Sequence, residues 1–468
     1  MELFQHQKTG IEFLKEKERA ILADEMGLGK TLQAIKTVED SRQTLVVCPA
    51  SLKINWTREI QMAIPGAEIE IINGRKDNGE NHDADWIIIN YDVVSYQKEW
   101  IIEKVKAGQI KNIILDEAHY IKGKSIRAKA TLEVTEYAEK VYCLTGTPLM
   151  NRPVELWNLL EAIKHPLTQM KGARSEFSRR YCGGFLRVLI RRHAAPLRFW
   201  DESGATNLKE LREHLQGYML RRKKSKVLDL PAKIIDVQEV ELTREQRKEY
   251  ENAWDVYIDY LQTNPGDKNL DNIEMARHLV EIGKLKQVCS RSKTDRIISD
   301  SLNAIEQGEK IIIFSQYVET IARLADGFKA KKIKTVQLTG ATKQDARQKA
   351  MDDFQEDENV KVFIANIKAG GVGINLTKAS IVMFADMDWT PEVHSQAEDR
   401  AHRIGQAGTV NVYYYVVEDT IELDIVELLA KKKQMVAEVI DGTKNRVSNK
   451  SLLPDFIQRM SERAIQVD

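Results

Sequence analysis

The sequence predicts an α/β protein of two lobes, each a parallel sheet flanked by helices, with a helical insertion between them. Three observations predict this. Short β-branched apolar runs alternate with helix-favouring stretches; they fall into two series separated by a region nearly devoid of strand signals; and 468 residues exceed the usual size of one hydrophobic core.

The first series is AILA (20–23), TLVVC (44–48), WIIIN (86–90), NIILD (112–116) and VYCLT (141–145), which gives a first lobe over 1–164. From 165 to 290 charged helix-favouring sequence such as TREQRKEYENAWDVYIDYL takes over, read as insertion, protrusions and linker, with a loop break at TNPGDKNLDN (263–272). A second series, KIIIFS (310–315), TVQLTG (335–340), KVFIAN (361–366), SIVMFAD (380–386) and VNVYYYV (410–416), gives a second lobe over 291–441. DTIELDIVELLAKKKQMVAEVI carries apolar residues at helical spacing and predicts a terminal helix, followed by a tail over 442–468.

Lysine plus arginine equal aspartate plus glutamate at 70 each, so bulk charge does not coat a polyanion, and any such partner is met by a local patch. Cys48, Cys143, Cys182 and Cys289 form no CxxC pair, which points to buried thiols in a reducing compartment and away from a disulfide frame or zinc site. MELFQHQKTG lacks a signal-peptide layout, and no apolar run reaches the roughly 20 residues of a spanning helix. The expectation is a protein of the cytoplasm or nucleoid, or of the nucleus in a eukaryote, neither secreted nor in a membrane.

In ILADEMGLGKT, Gly27, Gly29, Lys30 and Thr31 sit where a strand gives way to a helix. Such a turn aims backbone N–H groups at an anion, with Lys30 reaching β- and γ-phosphates and the Thr31 hydroxyl on Mg2+. The strict pattern has glycine where this chain has Asp24, and taken alone the stretch is also compatible with an ordinary glycine turn. NIILDEAHYIK places Asp116 and Glu117 directly after a buried strand; Asp116 is the candidate for Mg2+ and Glu117 for the attacking water. A lone DE pair there is as easily a solvated loop, but paired with the GKT turn it makes a phosphoryl-transfer constellation. In SQAEDRAHRIGQ, Gln396, Arg400 and Arg403 fall at i, i+4 and i+7, one face of a predicted helix. Arginine forks there would neutralise charge on a transferred phosphoryl group when lobes close, or else form a solvated basic face.

These residues resemble the Swi/Snf-type DNA translocases of helicase superfamily 2, over nearly the whole chain. LFQHQKTGIEFL resembles the Q motif, with Gln7 on adenine. DEMGLGKT, including Asp24, resembles that family's nucleotide loop. VVCPASLKINW resembles motif Ia, DEAH motif II, LTGTP motif III, IIIFSQY motif IV, KAGGVGINL motif V and QAEDRAHRIGQ motif VI. TGTPLMNRPVELWNLL, WDESGATNLKELREHL and YMLRRKKSKVLDLPAK are similar to the annealing-helicase, HARP-like (HepA-related) branch. The resemblance implies two RecA-like lobes, ATP and Mg2+ as cofactors, and duplex or forked DNA bound without sequence preference. It also implies coupling through His119, Thr145, Gly146 and Thr147. Motif Ia (Pro49, Ser51, Leu52), motif IV (Ser315, Gln316) and motif V (Lys368, Gly370, Gly371) would contact the DNA backbone. Three departures stand out. The sequence opens at the Q motif, so recognition repeats are expected to be missing and fork targeting to need a protein partner; Asn366 replaces a common Ser or Thr, and Thr390 a common Asn.

For nucleic acid, Lys171, Arg174, Arg179, Arg180, Arg187, Arg191 and Arg192 against Glu176 make a local excess, and RRKKSK (221–226) adds five more cations. Tyr181, Phe185, Phe199 and Trp200 are read as core packing before base stacking. The expectation is a monomeric DNA-dependent ATPase that translocates on duplex DNA and remodels or rewinds forks. The alternatives are a strand-separating helicase, a DNA-dependent remodeller that strips bound protein, and a non-hydrolysing DNA-binding module.

Overall fold

The computed structural model describes residues 3–40, 43–74, 83–148, 152–191, 194–263, 272–370 and 375–441. The chain divides into two units. One takes the described residues up to Phe185 with Asp201–Asp229 and 436–441; the other takes Leu186–Trp200 and Leu230–Met435.

In the first unit the strands are β1 (Arg19–Leu22), β2 (Thr44–Cys48), β3 (Ile69–Ile72), β4 (Trp86–Asn90), β5 (Asn112–Asp116) and β6 (Lys140–Leu144). Continuous Ile, Val and Leu runs make β2, β4 and β5 buried at every position, as strands covered on both faces must be. The helices Lys30–Val38, Lys53–Ala63, Tyr91–Lys106 and Ile126–Tyr137 lie between them in sequence, the crossovers a parallel sheet requires. Short β3, IEII, lies half-buried at one edge, and its glutamate hides the strand pattern in the sequence.

The 165–290 segment is less helical than its composition suggests. It holds β7 (Phe185–Arg191) and β8 (Ala194–Asp201), which pair in a two-stranded sheet, then β9 (Met219–Leu220) and β10 (Lys233–Val240). FLRVLIR and KIIDVQEV intersperse charged residues among β-branched residues and leucine, so charge masks their strand pattern. The segment is also shared: β9 pairs with β1 and completes the sheet β3-β4-β2-β5-β6-β1-β9, while β10 joins the second unit.

The second unit adds β11 (Ile311–Ser315), β12 (Lys334–Leu338), β13 (Val360–Asn366), β14 (Ile381–Phe384) and β15 (Val410–Val417). Its sheet runs β10-β15-β14-β11-β13-β12, with every pair parallel. The helices Arg244–Thr263 and Asn272–Ser292 pack Tyr250, Tyr257, Leu285 and Cys289 against Ile421, Ile425 and Leu428 of the terminal helix Ile421–Asp441. Beneath them, fully buried Lys293 donates at 2.7 Å to both oxygens of Glu422. All four cysteines are free and buried. No helix among the described residues is long and apolar enough to cross a membrane.

Candidate nucleotide and nucleic-acid sites

β1 leads into the turn Asp24–Gly29, where Gly27 and Gly29 take left-handed backbone at φ 83° and 73°. Only glycine adopts this freely, and at Gly29 a Cβ would also lie 2.4 Å from Gln7 Nε2. The helix Lys30–Val38 begins at once, so the unsatisfied N–H groups of its first turn gather at the carboxyl edge of the sheet. Lys30 Nζ donates to the Asp24 carbonyl at 2.8 Å, and Thr31 is half-buried in the same turn. Burial lowers the Lys30 pKa, opposed by Glu117, Asp24 and Asp116.

Asp116 ends β5, next to β6 and two strands from β1. Trp56 Nε1 donates to its Oδ2 at 2.8 Å, the Glu117 N–H to its Oδ1 at 2.9 Å, and the Tyr91 hydroxyl to its carbonyl at 2.8 Å. Burial, and next the charge of Glu117, push its carboxyl up to about 7. Glu117 is a non-glycine residue in left-handed backbone, φ 48°, strain of the kind that accumulates at functional sites. Its carboxylate lies 3.2 Å from His119 Nδ1.

The motif III loop closes on the same turn. The Thr145 N–H donates to the Leu22 carbonyl at 3.1 Å, and the Thr147 N–H to Thr145 Oγ1 at 3.1 Å. A Cβ at Gly146 would meet Met26 Cγ at 2.6 Å and Lys30 Nζ at 3.5 Å, so glycine there permits the close approach. Gln7 is buried on the other side; its Oε1 accepts from the Phe4 N–H at 3.0 Å while its Nε2 abuts Gly29. One unit therefore brings together Gln7, Gly27, Gly29, Lys30, Thr31, Asp116, Glu117, His119 and Thr145–Thr147.

Asp24 does not fit a ligand role. It is fully buried and its carboxylate accepts from Arg222, both from the backbone N–H at 3.1 Å and from Nε at 2.9 Å. The basic run RRKKSK is thus corrected in part as an outward patch, Lys226 alone of its five cations being exposed. Arg222 faces Asp24, Arg221 donates to the Ala23 carbonyl at 2.9 Å, and Lys224 is buried. The cause is β9, which carries the run alongside β1. Sequence reading also missed Trp56 and Tyr91, which no local pattern links to Asp116, and Gln33, whose amide donates to the nearby Leu28 carbonyl at 3.0 Å.

In the second unit Gln396 lies on the helix Pro391–Glu398, buried with Arg400, while Arg403 is half-buried. The expected single helical face is corrected: the helix ends at Glu398, and the Arg400 carbonyl accepts from the Leu376 N–H at 3.0 Å, outside any helical ladder.

The motif residues expected on a DNA track divide by exposure. Ser51 is exposed, but Pro49 and Leu52 are buried, the single 3-10 turn Ala50–Leu52 turning only its last residue inward. Ser315 is fully buried and donates to Asp386 Oδ2 at 2.5 Å, and Gln316 donates through Nε2 to the Met387 carbonyl at 2.6 Å. Ser315 is therefore corrected from a contact residue to a support of its loop. Lys368 is 71% exposed, 3.4 Å from Asp388. Gly370 closes the short helix from Ile367, and Gly371 lies outside the described residues.

Of the basic stretch, Arg174 pairs with Glu202 at 2.7 Å and Arg180 makes two bonds to Glu210 at 2.6 and 2.7 Å, so acids later in the chain offset part of the excess. Lys171 and Arg179 are exposed; Arg192 lies outside the described residues. Tyr181 is core, as expected, whereas Phe185 and Trp200 are exposed, at 50% and 43%. The side chain of Phe199 lies outside the described set. No group of three or more His, Cys, Asp or Glu among the described residues makes a metal cage.

A lysine-bearing glycine turn facing an Asp-Glu pair across one parallel-sheet edge defines the class of P-loop proteins. Within it the chain belongs to the family of the SNF2-related domain, which matches residues 6–312, and the helicase conserved C-terminal domain matches residues 292–405. It is 30% identical over 458 residues to the DNA annealing helicase and endonuclease ZRANB3 of Bos taurus, covering 95% of this chain and 41% of that protein. An ATP-dependent helicase of Mycoplasma pneumoniae, itself uncharacterized, is 31% identical over 93% of this chain and 42% of its own length. The chain thus spans about two-fifths of these relatives. The SWI2/SNF2 ATPase core of Sulfolobus solfataricus in complex with dsDNA is similar at 25% identity and a TM-score of 0.43, covering 94% of this chain and 93% of that one.

Proposed function

We propose that this chain hydrolyses ATP to drive translocation on double-stranded DNA, remodelling or rewinding structures such as forks. The observation that carries the reading is Lys30 on its glycine turn beside buried Asp116 and Glu117. Rewinding is suggested by the relative named a DNA annealing helicase, and duplex binding by the resemblance of motifs Ia, IV and V to a backbone-contacting track.

In this reading Gln7 meets adenine, and Gly27, Gly29, Lys30 and Thr31 hold the phosphates. Lys30 exchanges the Asp24 carbonyl for phosphate oxygens, which repays its burial with two opposite charges. The donor set fits Mg2+: the Thr31 hydroxyl and Asp116 carboxylate are hard oxygens, and a carboxyl raised to about 7 beside a second acid is one that a cation would relieve. Bound there, Mg2+ supplies charge neutralisation on the phosphates. Glu117 orients the attacking water and receives its proton, with His119 beside it. Arg400 and Arg403, with Gln396, are the residues proposed to neutralise charge on the transferred phosphoryl group, and Thr145–Thr147 would relay the state of the nucleotide along the β6 edge. Exposed Ser51 and Lys368 remain for the DNA backbone, with Gln316 and Gly370 holding the loops between.

The test is steady-state ATP hydrolysis by the purified chain without DNA and with single strand, duplex or a model fork, at one fixed salt concentration. Duplex stimulation is expected, with a further rise on forks. Stimulation by single strand alone would replace this reading with strand separation, and hydrolysis under no condition would replace it with a DNA-binding module.

A further inference from the structure

We infer that Arg222 is a positioning residue of the nucleotide site, whose guanidinium clamps the phosphate-binding turn through Asp24. The inference rests on the reading of Lys30 as a phosphate ligand and names what holds that lysine's loop in place.

Three of the four guanidinium and backbone donors of Arg222 that bond this region converge on one cradle. The backbone N–H and Nε both donate to Asp24 Oδ1, at 3.1 and 2.9 Å, and Nη2 reaches Asp24 Oδ2 and, at 2.9 Å, Gln33 Oε1. Nη1 donates to the His6 carbonyl, on the helix that carries Gln7. Gln33 in turn donates to the Leu28 carbonyl at 3.0 Å, inside the turn, and the Arg222 carbonyl accepts from the Glu25 N–H at 3.0 Å. Both ends of the turn and the helix bearing Gln7 are thus tied to one side chain. Asp24, whose carbonyl accepts from Lys30, is the residue standing where the strict pattern has glycine, and the clamp gives its carboxylate a reason to be there.

Gly10 supports the same conclusion. It sits inside the helix Gln5–Lys15, where glycine is unfavourable, yet a Cβ there would lie 1.8 Å from Gln33 Oε1 and 2.7 Å from Arg222 Nη2. The helix gives up a side chain to make room for the clamp. Arg222 also opens the stretch through Asp229 over which the chain leaves the first unit. One passage of the chain between units, after Asp229, thus follows shortly on a residue tied to the turn that would meet phosphate. Only arginine offers a planar fork with enough donors for Asp24, Gln33 and His6 together; lysine keeps the charge and loses the fork.

The test compares the parent chain with Arg222→Lys and Gly10→Ala, reading the Kd of a fluorescent ATP analogue, KM and kcat for ATP, and the Kd for duplex DNA without nucleotide. In Arg222→Lys the nucleotide Kd and the KM should rise about tenfold while kcat changes by less than about threefold and duplex affinity by less than about twofold. Gly10→Ala, whose methyl must push aside the ends of both Gln33 and Arg222, should move the same two quantities by about threefold, and it decides the matter if Arg222→Lys does not fold. Parental nucleotide affinity in folded variants would overturn the clamp alone. Duplex affinity falling as far as nucleotide affinity would overturn it in favour of a DNA-facing basic run. A parent chain that binds no analogue would instead remove the nucleotide reading, and the clamp with it.

Discussion

At the carboxyl end of β5, Asp116 accepts from Trp56 and from the Glu117 backbone, yet burial next to Glu117 still holds its carboxyl near 7. At the carboxyl edge of the other sheet, past β14, Asp386 is equally buried. It accepts from Ser290 Oγ at 2.8 Å, Ser315 Oγ at 2.5 Å and the Gln316 N–H at 2.9 Å. The two aspartates occupy similar places in similar parallel sheets. What separates them is compensation: Asp386 is surrounded by donors and ties the helix Asn272–Ser292 to the motif IV loop, whereas Asp116 has fewer donors on its carboxylate and a second acid, Glu117, beside it. A strand-end acid signals chemistry when its neighbours leave its charge unmet, and scaffold when they meet it.

Glu117→Gln tests the chemical side of that comparison and carries the largest expected effect. ATP hydrolysis should fall about a thousandfold with the nucleotide Kd changed by less than about threefold, because an amide accepts no proton from water. Single-turnover hydrolysis beside analogue binding measures both, and near-normal turnover would remove Glu117 from the role. Asp386→Ala tests the scaffold side. Two buried hydroxyls and one N–H lose their acceptor, which should cost about 3 kcal/mol in denaturant unfolding of the second unit and leave analogue binding as it was. Lost nucleotide affinity with unchanged stability would instead place Asp386 with the chemistry and dissolve the contrast.

The same contrast explains what was legible in the sequence. Every strand of the two central series appears within a residue or two of its expected place, because runs such as NIILD and KIIIFS are buried on both faces and admit little else. The glycine turn before Lys30 and the placement of Asp116 and Glu117 at a strand end were legible because the signals are local: glycines for left-handed backbone, a lysine one step on, acids after an apolar run. Ser315 and RRKKSK were misplaced for the opposite reason. Whether a serine meets phosphate or Asp386, and whether Arg222 meets DNA or Asp24, depends on residues about 70 and 198 positions away. The strands β7 and β10 were hidden by charge, since mixed polar alternation at a sheet edge has the composition of a solvated helix. The helix expected to carry Arg400 on one face with Gln396 ends at Glu398, and past its end the Arg400 carbonyl accepts from the Leu376 N–H, a partner no local pattern announces.

Motif IV against motif V gives the smallest and sharpest test. Ser315 is fully buried, whereas Lys368, two residues past the end of β13, is mostly exposed, and the two loops are tied by Asn366 Nδ2 donating to the Gln316 carbonyl at 2.9 Å. If exposure decides which of them meets DNA, Lys368→Ala should weaken duplex binding and lower the slope of log affinity against log salt by about 1, the signature of one lost phosphate contact. Ser315→Ala should leave both slope and affinity within error and cost about 1 kcal/mol of stability, the worth of one buried hydrogen bond to Asp386. A salt titration of both variants separates the effects, because loosening a loop shifts affinity at every salt concentration alike, whereas removing a phosphate contact changes the slope. Should Ser315→Ala flatten the slope as Lys368→Ala does, Ser315 must leave Asp386 when DNA binds, and the scaffold side of the comparison would have to be redrawn as a switch.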